Sequence, residues 1–181
     1  MNQLWQKAVK DLEEGNFTAL QELLGGADGF DRQIIEWFDS GKFANEPEML
    51  AEALTCACML GRTDTANYLI DAGGDPYAGM KTWLAGPHYA VSGGHLDTVK
   101  LLIEKKISLD VENKYGGTLL GQALWSAVNE HKDSHAEIID VLVNAGAKID
   151  DGTLEWWKEQ NVPFEETKRR VAAALLKAEE K

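Results

Sequence analysis

Cysteine is scarce in this sequence. Only Cys56 and Cys58 occur among the 181 residues. They lie two positions apart in a stretch with helical periodicity, where side chains at that spacing point about 200° away from each other. Such divergence argues against a disulfide or a shared metal ion. We therefore expect both cysteines to fill the core.

Long apolar runs are missing as well. No run reaches the ~20 consecutive apolar residues that a membrane span needs, and the N-terminal stretch MNQLWQKAVKDLEEG lacks the apolar centre of a signal peptide. We therefore expect a cytoplasmic protein that makes no contact with a membrane. The hydrophobic content of 44% is still sufficient for a folded core.

Positive charge is in short supply. The chain has 18 lysines and arginines against 30 aspartates and glutamates, which gives a formal net charge of −12. The phosphates of nucleic acids and anionic lipids would be repelled by such a chain, so we expect neither as a partner. A basic protein partner is compatible with this charge. The alternative is that the acidic residues only keep the chain soluble.

A recognisable catalytic set is also absent. The glycine-containing stretches GADG and GGHLD do not follow a strand and do not match a phosphate-binding loop. His131 and His135 are four residues apart, but Asp133 and Ser134 are expected to interrupt a helix between them, which argues against a metal site. We therefore expect no catalytic residues, no metal, no cofactor and no enzymatic activity. The four histidines are expected to be structural.

One short apolar pattern occurs four times along the chain. Counted from a polar starting residue, apolar residues follow at positions plus four, plus seven and plus eight, which places them on one face of a helix. The starting residues are separated by 33 to 46 positions, a spacing typical of stacked repeat units. The four copies are Asn16 with Leu20, Leu23 and Leu24; Arg62 with Ala66, Leu69 and Ile70; His95 with Val99, Leu102 and Ile103; and His135 with Ile139, Leu142 and Val143.

A second apolar stretch precedes the starting residues. LTCACMLGR ends at Arg62 and PHYAVSGGH ends at His95. Small alanine and cysteine residues in these stretches allow two helices to approach closely. Each unit is therefore predicted to be a helix–turn–helix, in which the short second helix packs on the first helix and on the next unit.

This arrangement resembles the ankyrin repeat, whose pattern is roughly G-x-T-P-L-H-x-A-A-x-x-G-H-x-x-x-V-x-x-L-L-x-x-G-A. The pattern is met in pieces by GGTLL at 116–120, by NAGAKID at 144–150 and by DAGGDP at 71–76. Leu119 stands where proline is usual, and Pro87 stands where leucine is expected. The resemblance covers about residues 1–150.

The resemblance implies an all-α ankyrin-repeat solenoid of about four helix–turn–helix repeats, which forms a single domain over residues 1–181. An N-terminal insertion and a C-terminal capping helix pair complete this expectation. The expected divisions are repeats at 1–28, 47–76, 82–112 and 113–150, the insertion at 28–46 and the cap at 151–181.

Two departures from the pattern predict local differences. Ile34, Ile35 and Trp37 indicate either an added helix in the insertion or a lengthened first helix of the second repeat. The segment ALWSAVNEHKDS at 123–134 predicts that the first helix of the fourth repeat is longer by about two turns. Ser134 and Glu137 then form the S-x-x-E signal of a capping box at the following helix.

In an ankyrin repeat, the helix–turn–helix is followed by a β-hairpin-like loop called the finger. In ankyrin-repeat proteins, a concave surface made of finger tips and first helices binds other proteins. The stretch YAGMKTWLAG at 77–86 is about three residues longer than usual, which predicts an enlarged finger before the third repeat. The resemblance places Tyr77, Met80, Lys81 and Trp83 on this enlarged finger, Lys114 and Tyr115 on the next finger, and Ser92 and Trp125 on first helices. Exposed aromatic residues are favoured anchors in interfaces. Trp83 and Trp125 each have an alternative role, which is to pack against the longer finger and the longer helix.

The expected function is that of a non-enzymatic protein–protein interaction module. The partner is expected to be a basic protein that this chain binds and neutralises, such as a bacterial toxin held by its immunity protein. The alternatives are a general ankyrin scaffold or adaptor without an inhibitory role, and an enzyme. The sequence does not fix the oligomeric state, although a monomer is favoured.

Overall fold

All regular secondary structure is helical in the computed structural model, which describes residues 2–13, 16, 18–19, 27–44, 46–78 and 84–179. No strand occurs within these ranges, which confirms the all-α class. The helices are α1 (Asn2–Glu13), α2 (Ala27–Asp39), α3 (Pro47–Met59), α4 (Thr63–Asp71), α5 (Gly86–Ser92), α6 (Leu96–Glu104), α7 (Leu119–Asn129), α8 (His135–Asn144), α9 (Thr153–Glu159) and α10 (Glu165–Glu179). None of these helices has the length and apolar character needed to cross a bilayer.

The helices stack as a solenoid of helix pairs. Helix α3 pairs with α4, α5 with α6, and α7 with α8. Along the stack, the first helices α3, α5 and α7 contact one another in order, and the second helices α4, α6 and α8 do the same. Each pair therefore buries its apolar face against its own partner helix and against the neighbouring pair.

The predicted register of the second helices is confirmed for three copies. The plus-four and plus-seven residues are all buried: Ala66 and Leu69, Val99 and Leu102, and Ile139 and Leu142. The plus-eight residues are half-buried and pack against this core: Ile70, Ile103 and Val143. In the first copy, Leu20, Leu23 and Leu24 lie outside the described residues. Cys56 and Cys58 are also buried, because α3 is buried on more than one face, and burial raises the pKa of the Cys58 thiol to about 12.

Two glycines allow neighbouring repeats to approach each other. Gly61 follows α3 with φ of +65°, and Gly94 follows α5 with φ of +73°. A Cβ atom at Gly61 would lie 2.5 Å from Nδ1 of His95, and one at Gly94 would lie 2.7 Å from Oγ of Ser134. Both positions therefore need glycine for the backbone conformation and for the space that the next repeat occupies.

Histidines connect successive repeats through the backbone. The Nε2–H group of His95 donates to the carbonyl oxygen of Met59 at 2.8 Å, and that of His135 donates to the carbonyl oxygen of Ser92 at 3.2 Å. Met59 and Ser92 are the last residues of α3 and α5, where carbonyl groups lack partners within the helix. We call these two hydrogen bonds the histidine links. They confirm the expected structural role of these side chains.

The first helix of the fourth repeat differs from its prediction. Helix α7 has 11 residues and α5 has 7, so α7 is longer by about one turn. The prediction of a two-turn extension is therefore wrong. The prediction of a capping box at Ser134 is also wrong. Ser134 has helical backbone angles, and its hydroxyl donates to the carbonyl oxygen of Gly94 at 2.6 Å instead of capping α8.

The N-terminal insertion contains an added helix. Helix α2 ends at Asp39 and is separate from α3, which begins at Pro47. The ring of Trp37 packs edge-on against Trp5 of α1, with ring centroids 5.7 Å apart. The indole N–H of Trp5 in turn donates to a carboxylate oxygen of Glu52 at 2.8 Å. The aromatic side chains of α1 and α2 thus close the N-terminal end of the core.

Helices α9 and α10 form the expected cap at the other end. Helix α10 packs on α8 and α9. Trp157 is buried, and its indole N–H donates to the carbonyl oxygen of Lys168 at 3.0 Å. The ring of His131 stacks on Phe164 at a centroid distance of 3.7 Å, and its Nε2 lies 3.3 Å from the hydroxyl of Thr167. The loop after α7 is therefore held by the cap.

Candidate protein-binding surface

Asn113 shapes the finger that precedes α7. Its backbone N–H donates to the carbonyl oxygen of Gly117 at 2.9 Å, and its side-chain oxygen accepts from the N–H groups of Tyr115 and Gly117 at 2.8 and 3.0 Å. The amide nitrogen of the same side chain donates to Gln122 of α7 at 3.2 Å. The finger is therefore tied to α7, while the Tyr115 side chain at its tip is 74% exposed.

A depression of about 690 Å³ lies between this finger, α5 and α7. We call it the finger cleft. Its volume falls within the range of about 300–1,000 Å³ that is typical of ligand pockets. Its lining includes three aromatic and three polar side chains: Tyr89, Tyr115 and Trp125, with Ser92, Gln122 and Glu130.

A second depression of about 340 Å³ lies on the other side of Trp125, where Trp156 and Asp151 contribute to its lining. Trp125 and Trp156 are 48% and 41% exposed. Tyr115, Trp125 and Trp156 together therefore present aromatic surface from the finger, from α7 and from the cap. We call these three residues the aromatic strip.

The charge lining both depressions is acidic. Among the described lining residues, the charged side chains are Glu130 in the finger cleft and Asp151 in the second depression. The hydroxyl of Ser92 donates to a carboxylate oxygen of Glu130 at 3.3 Å, which connects the carboxylate to α5. A surface of this kind attracts positively charged groups.

The structure brings three of the predicted site residues together. Ser92, Tyr115 and Trp125 all line the finger cleft, and Lys114 is exposed on the same finger. Tyr77 is half-buried elsewhere, where its hydroxyl donates to the carbonyl oxygen of Ser108 at 2.9 Å. The other three predicted residues, Met80, Lys81 and Trp83, lie outside the described residues.

Trp156 is not among the predicted site residues, because the sequence predicts only a cap for the C-terminal segment. The sequence did contain a signal. Successive side chains on a helix point about 100° apart, so Trp156 and Trp157 cannot both point directly into the core. Trp157 is buried, and Trp156 is the residue left at the surface.

The histidines have environments suited to packing. His135 is buried, which lowers the pKa of its imidazole, and the backbone N–H of Lys132 donates to its Nδ1 at 3.1 Å. Both ring nitrogens of His135 are thus hydrogen-bonded in the neutral form. Burial likewise lowers the pKa of His88, whose Nε2–H group donates to the carbonyl oxygen of Gly117 at 3.1 Å. Within the described ranges, no group of three or more histidine, cysteine or carboxylate side chains is arranged to hold a metal ion.

The comparison with protein families matches residues 84–153 to a model described as ankyrin repeats in three copies. This range contains α5 to α8, the finger, and most of the residues that line the two depressions. The match therefore agrees with the helix pairs α5–α6 and α7–α8.

Two curated relatives come from Caenorhabditis elegans. A homologue of transient receptor potential cation channel subfamily A member 1 is 27% identical over 184 residues, which cover 99% of this chain and 14% of the relative. The E3 ubiquitin-protein ligase hecd-1 is 28% identical over 116 residues, which cover 63% of this chain and 4% of the relative. The chain thus spans only a small part of the length of either relative.

Several solved structures match this chain, and one of them does so with 25% sequence identity and a TM-score of 0.49. The match covers 66% of this chain and 62% of that chain. The structure is that of a predatory endopeptidase from Bdellovibrio bacteriovorus in complex with an immunity protein.

Proposed function

Because this chain is an ankyrin-repeat protein, we propose that it is an interaction module that binds a basic protein through the aromatic strip and neutralises it. Ankyrin repeats serve as protein-binding modules, but the fold by itself does not identify a partner. The observation that carries the proposal is the exposure of Tyr115, Trp125 and Trp156 beside two acid-lined depressions.

The aromatic strip supports a protein partner. Tryptophan and tyrosine are enriched among the residues that dominate binding energy, especially where neighbouring pockets allow them to be fully covered. Trp125 is suited to this role because it separates the two depressions and still has about half of its surface exposed. The partner would cover that surface.

The charge distribution supports a basic partner. The net charge is −12, and Glu130 and Asp151 add local negative potential along the strip. Complementary charge increases the rate of association more than it slows dissociation. Within this proposal, the partner is a basic bacterial toxin and the chain is its immunity protein, which acts as a monomer in the cytoplasm.

The test begins with capture of partners from the native host, followed by purification of the captured protein and measurement of binding kinetics. We expect a basic partner whose association slows as salt rises from about 50 to 300 mM, since the Debye length falls below 10 Å in that range. We expect Trp125→Ala to accelerate dissociation by a factor of about 30, corresponding to about 2 kcal/mol at a central interface residue. Tyr115→Ala and Trp83→Ala are measured alongside it.

Leu176→Ala provides the control, because Leu176 is half-exposed on α10 and does not line either depression. An acidic partner, or binding that is insensitive to salt, would contradict the electrostatic part. Unchanged affinity in the aromatic variants would place the binding face elsewhere. A toxin that stays active in the complex would exclude neutralisation and would favour the adaptor function.

A further inference from the structure

We propose that the finger cleft holds an arginine side chain of the bound protein, with its guanidinium group stacked on Trp125 and paired with Glu130. This inference rests on the proposed function, because it specifies how a basic partner is recognised. The arginine would be presented on an extended or loop segment that follows the cleft between the finger and α5.

The two recognition groups line the same depression. Trp125 belongs to α7, and Glu130 directly follows that helix. The Ser92 hydroxyl donates to one oxygen of the Glu130 carboxylate at 3.3 Å. A carboxylate has about four acceptor positions, so this bond leaves capacity for a guanidinium donor. The cleft thus combines an aromatic side chain with a carboxylate that a neighbouring helix helps to position.

This combination favours arginine over lysine. A guanidinium group is planar, stacks on aromatic faces and donates two parallel hydrogen bonds to a carboxylate. The ammonium group of lysine neither stacks on an aromatic face nor donates two parallel hydrogen bonds to a carboxylate, and it is more strongly hydrated. Tryptophan is also the aromatic side chain that attracts cations most strongly.

The size and charge of the cleft support the same ligand. A volume of about 690 Å³ lies within the range typical of ligand pockets and exceeds what one side chain fills. Glu130 is the charged residue among the described residues that line this cleft, and its negative charge disfavours acidic segments. Tyr89 and Tyr115 are the other aromatic residues among those that line the cleft.

The inference can be tested without the natural partner. The probe is the peptide acetyl-Gly-Arg-Gly-amide, titrated into the ¹⁵N-labelled protein, with the indole N–H signal of Trp125 assigned by Trp125→Phe. The matched control peptide contains citrulline, which has the shape of arginine without its charge. A third peptide contains lysine. We expect a saturable shift of the Trp125 signal with the arginine peptide, and binding at least about threefold weaker for the other two.

Variants separate the local carboxylate from overall charge. Glu130→Gln is expected to weaken binding of the arginine peptide by about twofold to fivefold, as for an exposed charged pair. Glu104→Gln removes the same charge from the exposed end of α6, away from the cleft, and is expected to leave binding unchanged. Circular dichroism confirms that both variants remain folded.

Three results would overturn the assignment: equal binding of the arginine and citrulline peptides, equal or tighter binding of the lysine peptide, or equal effects of Glu130→Gln and Glu104→Gln. Failure of the proposed function is recognised separately. An arginine-selective cleft in a protein with no basic partner would contradict neutralisation alone. Conversely, a basic toxin that binds Glu130→Gln as tightly as the unaltered chain would contradict only the arginine assignment.

Discussion

Lys106 occupies a backbone position that suits glycine, and replacing it should stabilise the protein. Its φ of +58° lies in the left-handed region. At the corresponding position after α4 and after α8, the chain has Gly73 and Gly146, with φ of +93° and +92°. Of these three turns, the one after α6 therefore has a residue other than glycine in the left-handed conformation.

The size of the effect follows from two opposing contributions. A residue other than glycine pays about 1–2 kcal/mol in the left-handed conformation. Glycine loses more conformational freedom on folding, which costs about 0.5–1 kcal/mol. The Lys106 side chain is exposed, so its removal costs little packing. Lys106→Gly should therefore raise the free energy of unfolding by about 0.5–1 kcal/mol.

The measurement is the urea midpoint of unfolding, followed by circular dichroism, with the slope m checked for constancy. Lys106→Ala keeps the strained backbone and removes the charge, so we expect its midpoint to change little. Gly146→Ala introduces the strain at the matching turn, where a Cβ would meet no neighbouring atom within 4 Å, and should destabilise by about 1 kcal/mol. Two results would refute the strain at this turn: a urea midpoint for Lys106→Gly below that of the unaltered protein, or an increase in midpoint for Lys106→Ala equal to that for Lys106→Gly.

Two further predictions concern the core and the buried histidines. Leu102→Ala or Leu142→Ala should lower the free energy of unfolding by about 2–5 kcal/mol, because both side chains are buried. Hydrogen exchange should show that the loss of stability extends into the adjacent repeats. An unchanged urea midpoint would contradict the assigned register. Burial lowers the pKa values of His88 and His135 in the folded protein, so unfolding takes up protons below the ordinary histidine pKa of about 6.5. The free energy of unfolding should therefore be constant above about pH 7 and should fall as the pH drops below about 6.5. Urea midpoints between pH 7.5 and 5.5 test this, and His135→Gln should reduce the slope.

The sequence predicted the register of the repeats because a buried helix face is encoded locally, at positions such as Val99 and Leu102. It did not predict where α7 ends. That end depends on contacts between distant residues, including the bond from Ser134 to Gly94 and the stacking of His131 on Phe164. Local periodicity carries no information about such contacts.

The candidate site was predictable to a similar extent. Ser92 and Trp125 could be placed by their register on first helices, and Tyr115 by its place in the finger. Their meeting with Glu130 in one cleft depends on how α5 and α7 pack, which no single segment encodes. Trp156 belongs to the cap, and its place beside Trp125 depends on how the cap packs on the last repeat through α10.

The histidine links bear on how such a chain can change its length. The α5–α6 repeat has both halves of the connection, since His95 reaches back to Met59 and the carbonyl of Ser92 receives His135. Duplication of this repeat in the gene would give the new copy an acceptor behind it and a donor ahead of it. An in-frame loss would instead leave His135 facing Met59, again a histidine opposite the end of a first helix. Whole repeats can therefore be gained or lost while the connection between neighbours is regenerated each time.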